Sequence, residues 1–446
     1  MSANLSTLSV DDEQELENAG ILLGPITGTK RKVSAAFLSP ESSRSGSSSS
    51  SSSASATVSI ITPPLSPDTY ITLPSSDESI DALEYMGFTQ RTAADIFTRF
   101  SDRHQAGNRD SLLDYAVSHV AQLRTMSNMS RSEALRRMGL RPEFRDAVLN
   151  PRFDDIFGTR GLLFWTQDTL KLRFRSMQLL RRRLRAGAAR ERRNRTRVRR
   201  TPGAAYDPIP GPAGRPAVGG AITATISSGT QFLPAACVEV TQAGQDLPGH
   251  RILYNGKAVS EMLDNDFIRE DGTVNMNALL SAAGGDFNSL ALALYWTPQK
   301  DVAEKYRDYA ADRATDSETW LIKIQVPQAF IDTLNMHGLY FGNDWKEFVW
   351  TCRGMKIIPA NLAWLLNGDG IEGHTCHRRT DALTAIPRQD IQRTMTRDDF
   401  VMSALNGGAR QWVLTNIQQH AEAMGVAIRG KIHIDVFGPR RSPTAR

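Results

Sequence analysis

The chain has 446 residues, 40% hydrophobic and 7% aromatic, with a formal net charge of +5, enough length for two or three domains with a sizeable core. No apolar run reaches the length that spans a bilayer, and the polar, acidic start MSANLSTLSVDDEQELENAG lacks the basic and apolar regions of a secretory signal. Three widely spaced cysteines, Cys237, Cys352 and Cys376, exclude a disulfide framework and a CxxC zinc pattern, and they fit a reducing compartment.

Residues 1–75 read as a disordered, Ser-rich tail. Its centre, SPESSRSGSSSSSSSASA, offers too little apolar surface to offset the entropy of ordering. It also carries Ser39-Pro40 and Ser66-Pro67, the pattern of proline-directed phosphorylation, and a basic TKRK. Residues 76–185 read as helical. Leu83 and Met86, then Ala93, Ile96, Phe97 and Phe100, fall at helical spacing, with Thr89 placed to cap the second helix. Leu83/Met86/Gly87 and Leu135/Met138/Gly139 repeat at an interval of 52 residues, which suggests a helical repeat. The Met86-Gly87-Phe88 loop also resembles the ubiquitin-contacting loop of a ubiquitin-associated domain, although a helix-ending glycine explains the same letters. Leu170, Phe174, Met177, Leu180 and Leu184 then form the apolar stripe of a long amphipathic helix.

That helix runs into a basic block. Residues 171–200 hold 14 Lys/Arg and one acid, Glu191, a local charge of +13 that leaves the rest of the chain at −8. Residues 181–200 read as a nuclear-import signal, a nonspecific polyanion contact or a solvated linker. They lack the interleaved aromatics of a single-strand stacking platform. The import reading places the protein in the nucleus or shared between nucleus and cytoplasm. Residues 186–225 are expected to be a linker, first basic and then rich in Pro and Gly.

Residues 226–446 read as a mixed α+β domain. Strands are expected at 251–254, 290–296, 319–326, 347–351, 355–359 and 431–437, with helices at 298–312 and 409–424. The fold class is therefore α+β: a C-terminal mixed domain, a preceding all-α region and an N-terminal tail. The segment GHTCHRR groups His374, Cys376 and His377, but further ligands for a metal are not evident and no metal is expected.

Three short motifs in this domain bear on chemistry. Tyr254-Asn255-Gly256 ends an apolar strand, where glycine lets a ligand approach the backbone. Tyr295-Trp296-Thr297 opens a helix that carries Tyr306 eleven residues after Tyr295. Glu347 precedes an apolar run, Phe348-Val349-Trp350, read as a strand. Each residue type also occurs as ordinary core, turn or strand-end material; their joint order carries the signal. In that order the domain resembles the ADP-ribosyltransferase fold of the poly(ADP-ribose) polymerase and diphtheria-toxin type, and fungal proteins that carry such a domain. The resemblance spans roughly residues 250–360. It implies NAD as substrate and a protein acceptor or water. Tyr306 and Tyr295 would flank the nicotinamide, Gly256 would hydrogen-bond its carboxamide, and Glu347 would stabilise positive charge on the ribose. One carboxylate serves such an oxocarbenium-like transition state. The family's histidine is Asn255 here, so a non-catalytic interaction protein using the basic and helical regions is the alternative.

Overall fold

The computed structural model describes residues 10–27, 29–34, 54–61, 70–126, 128–199, 233–234, 236–241, 244–405 and 407–440. The serine run, both Ser-Pro pairs and residues 200–225 of the expected linker lie outside the described residues.

Part of the stretch read as a tail is built into the fold. It contributes a helix, α1 (Val10–Asn18), and strands β1 (Leu22–Thr27), β2 (Lys30–Ser34), β3 (Ala56–Ile60) and β4 (Tyr70–Pro74). β1, β2 and β4 form an antiparallel sheet. α1 buries Leu16 and packs along the basic half of a later helix.

The helical region holds α2 (Ile80–Met86), α3 (Gln90–Gln105), α4 (Leu112–Val120), α5 (Arg131–Arg137), α6 (Pro142–Val148), α7 (Asp154–Gly158) and α8 (Leu162–Arg199). Its starts are written in hydroxyl caps. Ser79, Thr89, Ser111 and Ser130 each accept a hydrogen bond from a backbone N–H of the first turn. The two repeated Met-Gly loops meet each other: Phe88 and Leu140 bridge, Thr89 N donates to Gly139 O at 2.7 Å, and Arg141 N donates to Gly87 O at 2.8 Å. Met86 and Phe88 are fully buried in this pairing and Gly87 caps α2, so the loop that resembles a ubiquitin-contacting one is used inside the fold. The predicted stripe of α8 is buried throughout. α8 continues well past the expected boundary at 185, where Arg192 pairs with Asp12 of α1, and arginines earlier in the basic block also have internal partners. Arg181 binds Asp77 at 3.2 Å and Ser75 O at 2.8 Å, and Arg183 binds Glu318 at 2.9 Å.

The remaining strands are β5 (Val238–Val240), β6 (His250–Ala258), β7 (Leu280–Ser281), β8 (Ala293–Trp296), β9 (Thr319–Pro327), β10 (Met336–Leu339), β11 (Gly370–His374), the short pair β12 (Met402–Ser403) and β13 (Gly407–Gly408), β14 (Arg410–Leu414) and β15 (Ile432–Phe437). The helices are α9 (Lys300–Arg313), α10 (Gln328–Ile331), α11 (Asn343–Arg353), α12 (Thr380–Thr384), α13 (Ile391–Thr394) and α14 (Ile417–Ile428). Two five-stranded mixed sheets form the body, β5-β3-β15-β9-β6 and β10-β11-β14-β8-β7. They touch where Tyr254 of β6 and Thr297, just past β8, exchange backbone hydrogen bonds of 2.8 and 3.0 Å. The fold is α+β, as expected.

Three expectations fail locally. Residues 347–351 belong to the helix α11, because Trp345, Phe348, Val349 and Cys352 are buried at spacings of three and four, a helical stripe. Residues 355–359 form no strand; Ile357 is 85% exposed. Residues 410–414 are strand β14, and the helix begins only at Ile417.

Candidate functional site

The seam between the two sheets opens into a cleft of about 420 Å³, within the usual range of ligand pockets. Its floor is β6 and the end of β8, one wall is α9, and the other is the start of α8. Tyr254, Asn255, Gly256, Tyr295, Thr297 and Tyr306 all line it. The middle of β6, the end of β8 and the helix α9 therefore converge; Asn255 and Gly256, expected to end a strand, lie inside β6, which stays paired with β9 as far as Ala258.

Each residue is held differently. Asn255 donates from Nδ2 to the Tyr295 carbonyl at 2.9 Å, while its Oδ1 is buried and has no partner. Tyr295 is anchored by its hydroxyl, which donates to Asn288 Oδ1 at 2.8 Å and accepts from Phe287 N at 3.0 Å. Burial pushes the Tyr306 hydroxyl up to about 12, although contact with the Thr159 side chain opposes this. Thr297 Oγ1 accepts from Gln299 N at 3.1 Å and turns the chain into α9. Gly256 serves packing: a Cβ there would stand 2.0 Å from the Ala303 carbonyl oxygen of α9. The closeness expected of a ligand is taken by a helix.

Glu347 is not among the residues that line the cleft. It lies six residues before Arg353, about 9 Å along the axis of α11, and Arg353 is the residue of that helix that reaches the cleft. The Glu347 carboxylate instead meets Arg388 and accepts from Asn361 Nδ2 at 3.1 Å. The resemblance gave Glu347 its catalytic role with 347–351 read as a strand; those residues are helical, and the carboxylate does not line the cleft.

The cleft holds residues that the motifs did not reveal. At its inner end Asp286 pairs with Arg353 at 2.6 Å, both almost fully buried, and accepts from Cys376 N at 2.8 Å and Gln411 Nε2 at 2.9 Å. Asp168 pairs with Arg313, and Glu261 with Lys257 at 3.3 Å. Thus every carboxylate lining the cleft carries a cation. The α8 wall, with Phe164, Trp165, Lys171 and Arg175, comes from a region that ends 79 residues before the first motif, counting from Arg175 to Tyr254. Only the Gly284-Gly285 pair before Asp286 marked that position locally, as a turn.

A wider depression of about 860 Å³ runs past His374, His377 and Phe400. There His374 is stacked on Phe400 at 4.4 Å and Phe341 N donates to its Nδ1 at 3.1 Å. Cys237, Cys352 and Cys376 are buried thiols. Among the described residues, no group of three or more His, Cys, Asp or Glu side chains is arranged to hold a metal, and no helix is long and apolar enough to cross a membrane. No family model, curated protein or solved structure matches the chain.

Proposed function

We propose that the cleft binds the nicotinamide end of an NAD-type dinucleotide, and that the chain works as a nucleotide-binding interaction protein. The observation that carries this reading is the Asn255 Oδ1 atom, a buried acceptor without a donor at the floor of a cleft bordered by Tyr254, Tyr295 and Tyr306. An orphaned buried acceptor costs about 1–3 kcal/mol. A carboxamide N–H of a planar ligand supplies the missing donor. Tyr295 and Tyr306 are both half-buried residues lining the cleft, which suits a flat ring placed beside them.

ADP-ribose transfer needs a carboxylate facing the ribose. Glu347 sits on another surface, and Asp168, Glu261 and Asp286 are neutralised by their partners. The proposal is therefore binding, without assigned turnover. Calorimetry on the full chain is expected to show NAD binding, weakened roughly tenfold by Asn255→Ala and unaffected by Glu347→Gln. Labelled NAD is expected to leave no ADP-ribose on protein. Absence of NAD binding overturns the reading; label incorporation that disappears in Glu347→Gln restores the transferase.

A further inference from the structure

Building on the binding reading above, we propose that the helical region supplies a phosphate site to the same cleft: Lys171 and Arg175 of α8 hold the anionic group of the nucleotide. Phe164, Asp168, Lys171 and Arg175 are spaced by four, three and four residues, so they share one helical face, and all four line the cleft.

The charge balance of the cleft singles out this wall. Six cations and three carboxylates line it. The three carboxylates are matched with Arg313, Lys257 and Arg353. The cations left over, Arg160, Lys171 and Arg175, all belong to the helical region. Arg160 is turned inward, donating to the carbonyls of Ala283 at 3.1 Å and Ala282 at 3.2 Å. Lys171 is exposed and has no ion pair or hydrogen bond among the described residues. Arg175 reaches only Asp264, at 2.9 Å, whose side chain is 62% exposed; a pair of that kind contributes little and yields readily to a better anion. Two adjacent turns of one helix thus present an ammonium and a guanidinium to a cleft with no spare carboxylate, a surplus that attracts phosphate oxygens. The rings come from the C-terminal domain and the anion contacts from the helical region, so both parts of the chain are needed for the whole ligand.

The test uses the full chain with three probes: NAD, ADP-ribose and nicotinamide. Lys171→Gln combined with Arg175→Gln is expected to weaken NAD and ADP-ribose by about tenfold per lost cation, to flatten the salt dependence of their binding, and to leave nicotinamide unchanged. Lys171→Arg is expected to retain affinity. Lys171 is exposed, so its single variant tests the idea without a folding role; circular dichroism checks the double variant. Unchanged ADP-ribose affinity and salt dependence in the double variant overturn the phosphate site, while an Asn255-dependent affinity for NAD leaves the nicotinamide reading standing. Binding of ADP-ribose that needs Lys171 and Arg175, with nicotinamide unbound and Asn255→Ala silent, supports the phosphate site and overturns the nicotinamide reading. Binding of none of the three probes overturns both.

Discussion

Gly256 lies where β6 passes under α9, and the space its missing side chain leaves is filled by the Ala303 carbonyl. Gly256→Ala must push the helix off the strand, and is expected to cost about 1–3 kcal/mol, read as a lower urea midpoint. The inner end of the cleft is more sensitive. Asp286→Asn leaves the Arg353 guanidinium, only 2% exposed, without its carboxylate, a loss of about 3–5 kcal/mol by chemical denaturation. Glu347 lies at the other extreme. Its partner Arg388 has a side chain that is 59% exposed, so Glu347→Gln is expected to change stability by no more than about 1 kcal/mol. The three substitutions rank how deeply each residue is committed to the fold, and the ranking is the reverse of what the motif reading implied for Glu347.

At the scale of elements, local capping and apolar spacing placed α2, α3, α8, α9, β6, β9 and β15. α11 went astray because Glu347-Phe348-Val349-Trp350 satisfies alternation over four residues, whereas the helical stripe shows only over the longer span from Trp345 to Cys352. The Met-Gly repeat was visible, but pairing of its two loops was not, since nothing local says that one copy will face the other. Gly139 has φ +69 and a Cβ there would meet Thr92 Oγ1 at 1.9 Å, so Gly139→Ala is expected to lower the melting temperature, and more than a substitution on the exposed face of α3. Charge ties this layer together as well: Glu84 of α2 binds Lys30 of β2 at 2.9 Å and Arg141 at 3.1 Å. Burial opposes ionisation of Glu84, but hydrogen bonds and attraction from Lys30 and Arg141 outweigh it and hold the carboxyl below its ordinary 4.5. The folded value lies under the unfolded one, so this stabilisation is present above 4.5 and fades as pH falls through the lowered value. Urea midpoints measured from neutral pH down to about pH 3 are expected to fall less steeply in Glu84→Gln than in the parent.

Across the whole molecule, the division into tail, helical region and C-terminal domain is crossed at several points. β3, from residues 56–60, lies between β5 and β15 in the sheet that carries β6. α8 walls the cleft and ties Arg183 to Glu318, which accepts from Trp320 Nε1 at 2.7 Å. A fragment of residues 226–446 removes β3, bares an edge of β15 and strips one wall from the cleft. It is expected to be less stable than the full chain and to aggregate, checked by thermal melting and size-exclusion chromatography; a fragment that melts like the full chain would refute this dependence. The arginine block changes meaning at this scale too. Arg181 and Arg183 are each 3% exposed, and Arg192 meets Asp12 of the acidic α1. A peptide of residues 181–200 on a reporter therefore presents charges that the folded chain partly uses for itself.

The sequence by itself determined the α+β class, the capped starts of α2 and α3, the stripe of α8 and the helix that carries Tyr306, because these follow from spacing and capping within a few residues. Tertiary structure alone decided that residues 56–60 join the sheet that carries β6, that Tyr254, Asn255, Tyr295 and Tyr306 line one cleft while Glu347 does not, that Asp286 and Arg353 close its inner end and that α8 supplies its cationic wall. Those outcomes depend on pairings between segments tens to hundreds of residues apart, where burial and charge compensation, rather than local propensity, select the partner.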